Sequence, residues 1–378
     1  MSIIVIEPEC KGWNHEQVNI AWIRMIVQAF PEEKIVFWAE EGHLQAVRKK
    51  TDDLAIVFRT FELPEQSGDS LKYTNYYRMQ FLKILEQERD KNVKVVLLSS
   101  HKGNMKAVLQ LSKKWTQCEF YIVMHAVVEQ LIKKYSLSAR LRGGKFYDGW
   151  MLRRVMDQLS DRDNVKFATF SPVLKQTLRG KLRENTLRKI EFIHHPYEYE
   201  KIENKKQDGI INIGVMGATV NHYSMQVMEE VGKRTNNDNY VFTVIRSVQD
   251  FSGIRNVNLI NGGKPVSREQ MDEECKKMDY MIIPYDRKMY RLSASGVFFD
   301  SINYEIPALM LDSPLLTFYE KEYGVGNCCK TIEELVDNIV FIIEHSVEIT
   351  DEKQKKMKDI KERLSDENMN YIRKFMDL

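Results

Sequence analysis

The chain has 378 residues, of which 43% are hydrophobic and 29% are charged. That length suits two domains of about 150 to 200 residues each, and the composition is typical of a globular protein. The formal net charge of +2 provides no overall field for nucleic acid, so no nucleic-acid partner is expected. No apolar run approaches the roughly 20 residues that a membrane-spanning helix needs.

The five cysteines are scattered along the chain, without the spacing of metal ligands. This usage fits a reducing compartment, and we expect a cytoplasmic protein. The first residues, MSIIVIEPECKGW, contain no basic leader and no small-residue cleavage site. They are therefore interpreted as a first strand and not as a signal peptide.

The first half of the chain alternates apolar, β-rich runs with amphipathic helical patterns. Strands are predicted at 3–6, 35–38, 54–58, 93–98, 120–124, 165–168 and 190–193. Helices are predicted between them, for example at 16–30, 75–89, 105–115 and 151–159. Strands that are apolar throughout are buried on both faces, which predicts a parallel sheet covered by helices. Residues 1–196 are therefore predicted to form a doubly wound, Rossmann-like domain.

The alternation stops near His194 and His195, and the polar stretch 198–208 has the charge and the missing periodicity of a linker. After it, strands are predicted at 210–215, 240–244, 257–260, 280–283 and 308–311, and helices at 224–234, 268–277, 296–304 and 332–345. Residues 197–350 are thus predicted to form a second Rossmann-like domain, followed by a charged helical tail at 351–378. Two such α/β domains are expected to face a central cleft, because ligands bind at the carboxyl ends of the strands.

The stretch 280–326 carries the most informative pattern. A predicted strand is followed by a loop that opens directly into a helix, and the loop contains Tyr290, Ser293, Ser295 and Gly296. Small residues at a helix start expose backbone N–H groups, and the helix dipole favours an anion there. The pattern therefore predicts a phosphate site, and the carboxylate of Asp300, one turn further, is expected to accept hydrogen bonds from ribose hydroxyls.

This stretch resembles the donor-binding signature of GT-B glycosyltransferases in the large, mostly retaining, bacterial polysaccharide-type family (glycosyl transferases group 1). In that family an acid, seven residues and a second acid lead into a helix, which a small-Gly-x-Pro turn follows. The second acid falls on Asp300 and the proline on Pro307. The first acid falls on Leu292, Glu305 replaces the turn glycine, and 318–326 keeps the aromatic and Tyr-Gly-x-Gly ending.

The resemblance implies an α/β protein of the GT-B fold. It also implies transfer of a hexose-type sugar from a UDP- or GDP-linked donor to a glycan or lipid-linked glycan acceptor, with no other cofactor. Retention at the anomeric carbon is implied only by the resemblance. No metal-binding motif is visible in the sequence, so we expect an activity that is independent of metal ions.

In the family, the turn after the first strand of the second domain approaches the donor phosphates. Gly217 lies in the corresponding stretch, 214–223, and its backbone N–H is a candidate donor. The expected basic pair is missing there. Arg246, at the end of the next predicted strand, is the best substitute cation for the leaving diphosphate, with Arg287, Lys288 and Arg291 as rivals.

Two loops of the first domain supply candidate catalytic groups. His15 and Glu16 follow the first strand and are candidates for a general base or for hydroxyl ligands. The alternative is that Asn14 caps the helix and Glu16 favours its positive end. His125 follows another strand, at a place where the family often has a histidine against the donor sugar, although a lone histidine is more often a core residue.

Two other functions stay open. One is a sugar-nucleotide epimerase of the same fold, and the other is a non-catalytic, GT-B-like partner subunit. Separately, the segment 133–154 has seven basic residues and one acid, interleaved with aromatic residues. It is either an ordinary solvated surface or a peripheral contact with the anionic inner face of a membrane.

Overall fold

The computed structural model describes residues 2–64, 71–87, 92–125, 127–132, 146–203, 209–247, 249–285, 290–293, 295–345 and 351–376. It confirms the predicted α/β fold class, because each of two compact units contains one parallel sheet with interleaved helices. The first unit is 1–198 together with 366–378, and the second is 199–365. The predicted tail is a helix at Asp351–Phe375 that is divided between the two units.

The sheet of the first unit has seven parallel strands in the order β3-β2-β1-β4-β5-β6-β7. The strands are β1 (Ser2–Ile6), β2 (Lys34–Ala39), β3 (Ile56–Thr60), β4 (Val93–Leu97), β5 (Cys118–Met124), β6 (Val165–Thr169) and β7 (Ile190–Phe192). The helices are α1 (Glu16–Ala29), α2 (Glu41–Arg48), α3 (Thr74–Glu86), α4 (Lys102–Ser112), α5 (Val128–Ile132), α6 (Phe146–Leu159), α7 (Leu174–Leu178) and α8 (Glu184–Arg188).

Strand β1 shows why this sheet forms. Its five residues are all buried, with Ile4 paired to Val36 of β2 and to Val95 of β4. Full burial of one such aliphatic side chain stabilises a fold by about 1.5 to 3 kcal/mol. Strand order reverses between β1 and β4, and the loops after these two strands form the crevice where doubly wound sheets bind ligands.

The sheet of the second unit repeats this plan with six strands in the order β10-β9-β8-β11-β12-β13. The strands are β8 (Ile211–Met216), β9 (Tyr240–Ile245), β10 (Val257–Leu259), β11 (Tyr280–Ile283), β12 (Ala308–Leu311) and β13 (Asn327–Cys329). The helices are α9 (His222–Arg234), α10 (Arg268–Cys275), α11 (Gly296–Asn303), α12 (Pro314–Tyr323), α13 (Ile332–Glu344) and α14 (Asp351–Phe375). None of the described helices is long and apolar enough to cross a membrane.

The turn between α11 and β12 explains one departure from the family signature. Glu305, which replaces the turn glycine, has a φ of 58°, so this position keeps the left-handed conformation that glycine adopts freely. Its carboxylate lies 2.8 Å from the ammonium group of Lys361 on α14, and both side chains are largely buried. Lys361 also donates to the backbone carbonyls of Glu200 and Asn303. The strained glutamate thus neutralises a buried cation.

We predict that Glu305→Gly destabilises the second unit. The glycine relieves about 1 to 2 kcal/mol of backbone strain, but loss of the partner of a buried charge costs about 3 to 5 kcal/mol. The expected net loss is about 2 kcal/mol, measured by hydrogen exchange of the amides of β12. The double variant Glu305→Gly with Lys361→Met should recover part of the loss. Protection in Glu305→Gly equal to that of the unmodified protein would contradict this account.

Candidate functional site

In the second unit, the turn after β8 and the start of α11 lie side by side. Residues Gly217–Thr219 form a single turn directly after β8, and Gly217 has a φ of 55°. A Cβ atom added at Gly217 would lie 3.4 Å from Cγ2 of Val297 on α11. The positive φ favours glycine at this position, and the distance to Val297 is that of an ordinary van der Waals contact, so the turn and the start of α11 are direct neighbours.

The start of α11 keeps the free backbone donors that an anion requires. Ser295 precedes the helix without capping it through its side chain, and its hydroxyl hydrogen-bonds the hydroxyl of Tyr285. The backbone N–H groups of Gly296 and Val297 have no acceptor within the described part of the chain. The ring of Tyr290 stacks on that of Tyr285, with centroids 4.3 Å apart. This helix start therefore fits a phosphate group.

The neighbouring helix start, at α9, is already occupied by a side chain. The Oδ1 atom of Asn221 accepts hydrogen bonds from the backbone N–H groups of Tyr223 and Ser224. Its Nδ2 atom donates to the carbonyl of Pro284 at 3.2 Å, which ties the loops after β8 and β11 together. Of these two helix starts, α11 is consequently the one that can receive an anion.

Asp300 lies one turn inside α11, and its side chain is 14% exposed. Its Oδ1 atom is 3.8 Å from Nη1 of Arg268, which also pairs with Asp272 at 2.9 Å. The hydroxyl of Tyr304 hydrogen-bonds both Arg268 and Asp272. Asp300 thus has a fixed cation beside it, and its side chain keeps a small exposed fraction.

The position of the first family acid is part of the hydrophobic core. Leu292 is 1% exposed, so this position presents no polar group to a ligand. Ser293, the next residue, is half-buried.

Arg246 directly follows β9 and is exposed. Its guanidinium group has no hydrogen bond or ion pair among the described residues, and its backbone has a φ of 61°. The left-handed conformation costs a non-glycine residue about 1 to 2 kcal/mol, and such strain concentrates at functional sites. The next residue is held in place, because the N–H of Ser247 donates to the carbonyl of Gly263. Within the part of the chain that the structure describes, this geometry presents an unpaired cation at the carboxyl edge of the sheet.

In the first unit, a wholly buried carboxylate organises the corresponding edge. Glu7 follows β1, and its Oε1 atom accepts from the backbone N–H groups of Glu9 and Cys10. Its Oε2 atom accepts from the amide of Asn19 on α1 and from the hydroxyl of Ser99 after β4, at 3.1 and 2.8 Å. Four donors compensate the loss of hydration, and they join β1, β4 and α1 across the point where strand order reverses.

The loop after β1 is held by a second set of contacts. Nδ1 of His43 lies 2.7 Å from the carbonyl of Gly12, so Nδ1 carries the proton of this ring. Nε2 therefore accepts from the amide of Asn19, at 2.8 Å. On the other side, Glu40 accepts from the backbone N–H groups of Gly12 and His43. The carbonyl and the N–H of Gly12 are both fixed, and the loop that carries His15 is fixed with them.

Three histidines meet at this edge. The Nδ1 atoms of His15 and His125 are 3.2 Å apart, and the rings of His125 and His195 are 5.4 Å apart. Desolvation by the surrounding protein lowers the pKa of His15 and holds that of His125 well below its ordinary value. Burial, and then the nearby His15, lower the pKa of His195 to about 3. All three rings are therefore neutral near pH 7.

The contact between His15 and His125 fixes the chemistry that the pair presents. One proton fits between the two facing Nδ1 atoms, because two would set N–H against N–H. The ring that donates this proton has an unprotonated Nε2, and the ring that accepts it carries Nε2–H. The neutral pair therefore presents one base and one hydrogen-bond donor.

Glu16 is directed to a different partner. Its carboxylate is buried and lies 3.5 Å from the ammonium group of Lys50. Glu16 is also the first residue of α1, where a negative charge interacts favourably with the helix dipole. Asn14 does not cap this helix. His15 holds the capping position in a left-handed conformation and makes no capping hydrogen bond with its side chain.

Of the basic segment 133–154, the part 133–145 lies outside the described residues. Within the remainder, Arg153 donates to the carbonyl of Leu131, and burial lowers the pKa of its guanidinium group. The guanidinium group of Arg154 lies 5.6 Å from the ring centre of Trp150, which is 37% exposed. Contact of the segment 133–154 with an anionic membrane surface stays a prediction.

The predicted site residues fall into two groups, one in each unit. The second-unit group lies in the loops and helix that follow the strands, and it comprises Gly217, Arg246, Tyr290, Ser293, Ser295, Gly296 and Asp300. In the first unit, His15 and His125 are in contact. Sequence reasoning missed Glu7 and His43 and left the place of His195 undecided. A signal existed for Glu7, since a carboxylate directly after the first strand of a doubly wound sheet lies at the ligand crevice.

We predict that the first unit loses stability as the pH falls below 6.5. A histidine of the unfolded chain binds a proton near pH 6.5, whereas the pKa of His195 in the folded protein is about 3. Between these two pH values, protonation therefore favours the unfolded chain. The contribution of His195 to the free energy of unfolding is complete above pH 6.5 and is lost towards pH 3. The slope is about 1.4 kcal/mol per pH unit for each such histidine. Denaturant unfolding is followed by tryptophan fluorescence, because all five tryptophans lie in the first unit.

The variant His195→Gln tests the assignment. Between pH 6 and pH 4, it should lower the slope of the free energy of unfolding against pH by about 1.4 kcal/mol per pH unit, which corresponds to one proton. His345→Gln, which removes an exposed histidine of the second unit, serves as the control and should leave the slope unchanged. An identical slope in His195→Gln and the unmodified protein would refute the prediction.

No family model matches the sequence, and no curated protein matches it. Solved structures do match. The lipopolysaccharide outer core galactosyltransferase WaaB, in its apo form, is 12% identical with a TM-score of 0.64, and 98% of each chain is covered. HepE from Anabaena, solved with UDP and glucose, is 9% identical with a TM-score of 0.63, and 100% of each chain is covered.

An epimerase also matches. The UDP-GlcNAc 2-epimerase from Neisseria meningitidis, bound to UDP-GlcNAc, is 12% identical with a TM-score of 0.53, and 100% of this chain and 99% of that chain are covered. Identities this low establish the fold and leave the activity to be argued from the site. The chain has the GT-B fold, which it shares with the galactosyltransferase WaaB and with HepE.

Proposed function

We propose that this protein is a glycosyltransferase that moves a hexose-type sugar from a nucleotide-diphosphate sugar to a glycan or lipid-linked glycan acceptor. The observation that carries the proposal is in the second unit. The turn at Gly217 and the uncapped start of α11 lie side by side, with Asp300 one turn further along the same helix. The N–H groups that would bind a phosphate and the carboxylate that would bind the ribose therefore follow one another along α11. The phosphate and the ribose are adjacent in the same way in a nucleotide diphosphate.

The donor would bind through its nucleotide. The backbone N–H groups of Gly296 and Val297 would hold one phosphate, and the carboxylate of Asp300 would accept hydrogen bonds from the ribose. Arg268, at 3.8 Å, would keep that carboxylate in place. Solved GT-B structures support this part of the proposal, because HepE was crystallised with UDP and glucose.

Transfer requires a leaving group and a base. The acceptor oxygen would form its bond to the anomeric carbon while the bond from that carbon to the diphosphate breaks. The N–H groups at the start of α11 and the guanidinium group of Arg246 would stabilise the charge that develops on the diphosphate. Within the first unit, the unprotonated Nε2 of the His15–His125 pair is the group that would act as a base for a hydroxyl group of the acceptor. These groups require no metal ion.

We expect this activity in the cytoplasm, and the segment 133–154 is the part that would contact an anionic membrane where a lipid-linked acceptor is used. The donor is expected to be UDP- or GDP-linked. Product analysis separates the proposal from its alternatives. A transferase releases nucleoside diphosphate in the presence of acceptor, an epimerase yields an isomerised sugar nucleotide, and a non-catalytic subunit yields neither.

We predict that Asp300→Ala weakens binding of the free nucleoside diphosphate. Loss of a hydrogen bond to a charged group costs about 1.5 to 3 kcal/mol, which corresponds to a ten- to hundredfold rise in Kd by calorimetry. The matched control is Asp337→Ala, which removes an exposed aspartate that pairs with Arg234 on the surface of the same unit. Unchanged nucleotide affinity in a folded Asp300→Ala protein would overturn this assignment.

We also predict that Arg246→Ala lowers kcat about 100-fold while KM for the donor changes less, because the leaving group gains charge in the transition state. Activity should persist in EDTA. The control is Arg255→Ala, an exposed arginine of the same unit that pairs with Asp238. A complete loss of turnover in EDTA that manganese or magnesium restores would assign the role of Arg246 to a metal ion instead.

A further inference from the structure

A cavity of about 400 Å³ lies in the second unit, at the amino ends of three neighbouring strands. The first residues of β11, β12 and β13, which are Tyr280, Ala308 and Asn327, line it. Sites for small molecules have volumes of about 300 to 1,000 Å³, so this cavity is large enough for a small ligand. The strands are parallel, and the start of α11 follows their opposite, carboxyl edge. The proposed function therefore makes no use of this cavity.

Part of the cavity wall is apolar. Leu309 of β12, Ile342 of α13 and Met357 of α14 line it and are buried. Phe341, which precedes Ile342 on α13, also lines it, and its side chain is 56% exposed. A ligand with an apolar body would remove the exposed part of this ring from water, which favours binding.

Lys356 of α14 supplies a positive charge, and the other described residues that line the cavity are uncharged. Its ammonium group lies against Gly324, where an added Cβ atom would collide with Nζ. Gly324 directly follows α12, and the negative end of that helix dipole attracts an ammonium group. Among the described residues, no carbonyl or carboxylate oxygen accepts a hydrogen bond from Lys356. Its three N–H donors therefore remain for a ligand.

Two asparagines add polar groups to the wall. Asn327 is exposed, and its side chain makes no hydrogen bond within the described ranges. Asn338 is half-buried, and its Nδ2 atom donates to Sγ of Cys329 at 3.2 Å. An ammonium group and an amide both donate hydrogen bonds to a carboxylate. One cation matches one negative charge, which favours a carboxylate over a phosphate dianion.

We propose that this cavity is a binding site for a small organic carboxylate with an apolar body. Lys356 and Asn327 hold the carboxylate group. The apolar body packs against Phe341, Ile342 and Met357. The inference goes beyond the proposed function and does not depend on it, because the cavity and the start of α11 lie at opposite ends of β11. That strand has four residues, a length of about 13 Å.

A binding experiment locates the ligand directly. The methionine methyl groups are isotope-labelled for NMR, and the variant Met357→Leu identifies the signal of Met357 among the 18 methionines. The carboxylate probes are decanoate and phenylpropionate. Phenylpropionamide is the neutral match of the second, and inorganic phosphate is an anion without an apolar body. We expect a saturable shift of the Met357 signal with at least one carboxylate, a weaker response to the amide and none to phosphate.

Variants then test the two halves of the site by calorimetry. Lys356→Gln should raise Kd for the carboxylate about tenfold, because it removes the charged donor. Lys358→Gln removes an exposed lysine of the same helix that does not line the cavity, and this matched control should leave Kd unchanged. Phe341→Ala, at an exposed position, should weaken binding of the carboxylate and of the amide alike.

Three outcomes would overturn the inference. The first is a Met357 signal that neither carboxylate shifts. The second is the same Kd in Lys356→Gln as in the unmodified protein, or equal affinity for phenylpropionate and its amide. The third is displacement of the carboxylate by excess UDP, which would place the probe in the nucleotide site. None of these results bears on the proposed function, which turnover of a nucleotide sugar tests separately.

Discussion

The carboxylate of Glu7 is the constraint on which the first-unit site depends. It is wholly buried, and its four donors belong to the loop after β1, to α1 and to the loop after β4. A buried charge requires such compensation, so these segments cannot move independently without leaving it unpaired. The amide of Asn19 extends the network to His43, which holds Gly12. The loop that carries His15 is thus connected through Gly12, His43 and Asn19 to this carboxylate.

In the second unit, the crevice at the corresponding point of the sheet is held together by different chemistry. Its crevice is bridged by the amide of Asn221 and the carbonyl of Pro284, which are neutral groups. No buried acid follows β8, where Gly217 stands instead, and the start of α11 keeps its N–H groups open. Open N–H groups at a helix start favour a nearby anion, whereas a buried carboxylate such as that of Glu7 disfavours one.

The sequence predicted the architecture because the physical signals were local. Apolar runs such as that of β1, with amphipathic helices between them, specify a parallel sheet. Among the described helices and strands of the second unit, the sequence analysis missed two, the helix α12 and the three-residue strand β13. Contacts between distant residues were not predictable. Glu7 and Ser99, or His15 and His125, are brought together by strand order, which no pattern near either residue records. The placement of Glu16 against Lys50 illustrates the same limit.

The departures from the family signature bear on the choice between a transferase and a non-catalytic relative. Leu292 is packed into the core, and Glu305 neutralises Lys361, so each replacement is compensated in the fold. Backbone strain at a residue points to a functional role when no structural contact of that residue explains it. Arg246 keeps a strained backbone and an exposed, unpaired guanidinium group in the described structure, and His15 keeps a strained backbone beside His125. Strain retained at these positions, with compensation elsewhere, favours an active enzyme over a structural partner.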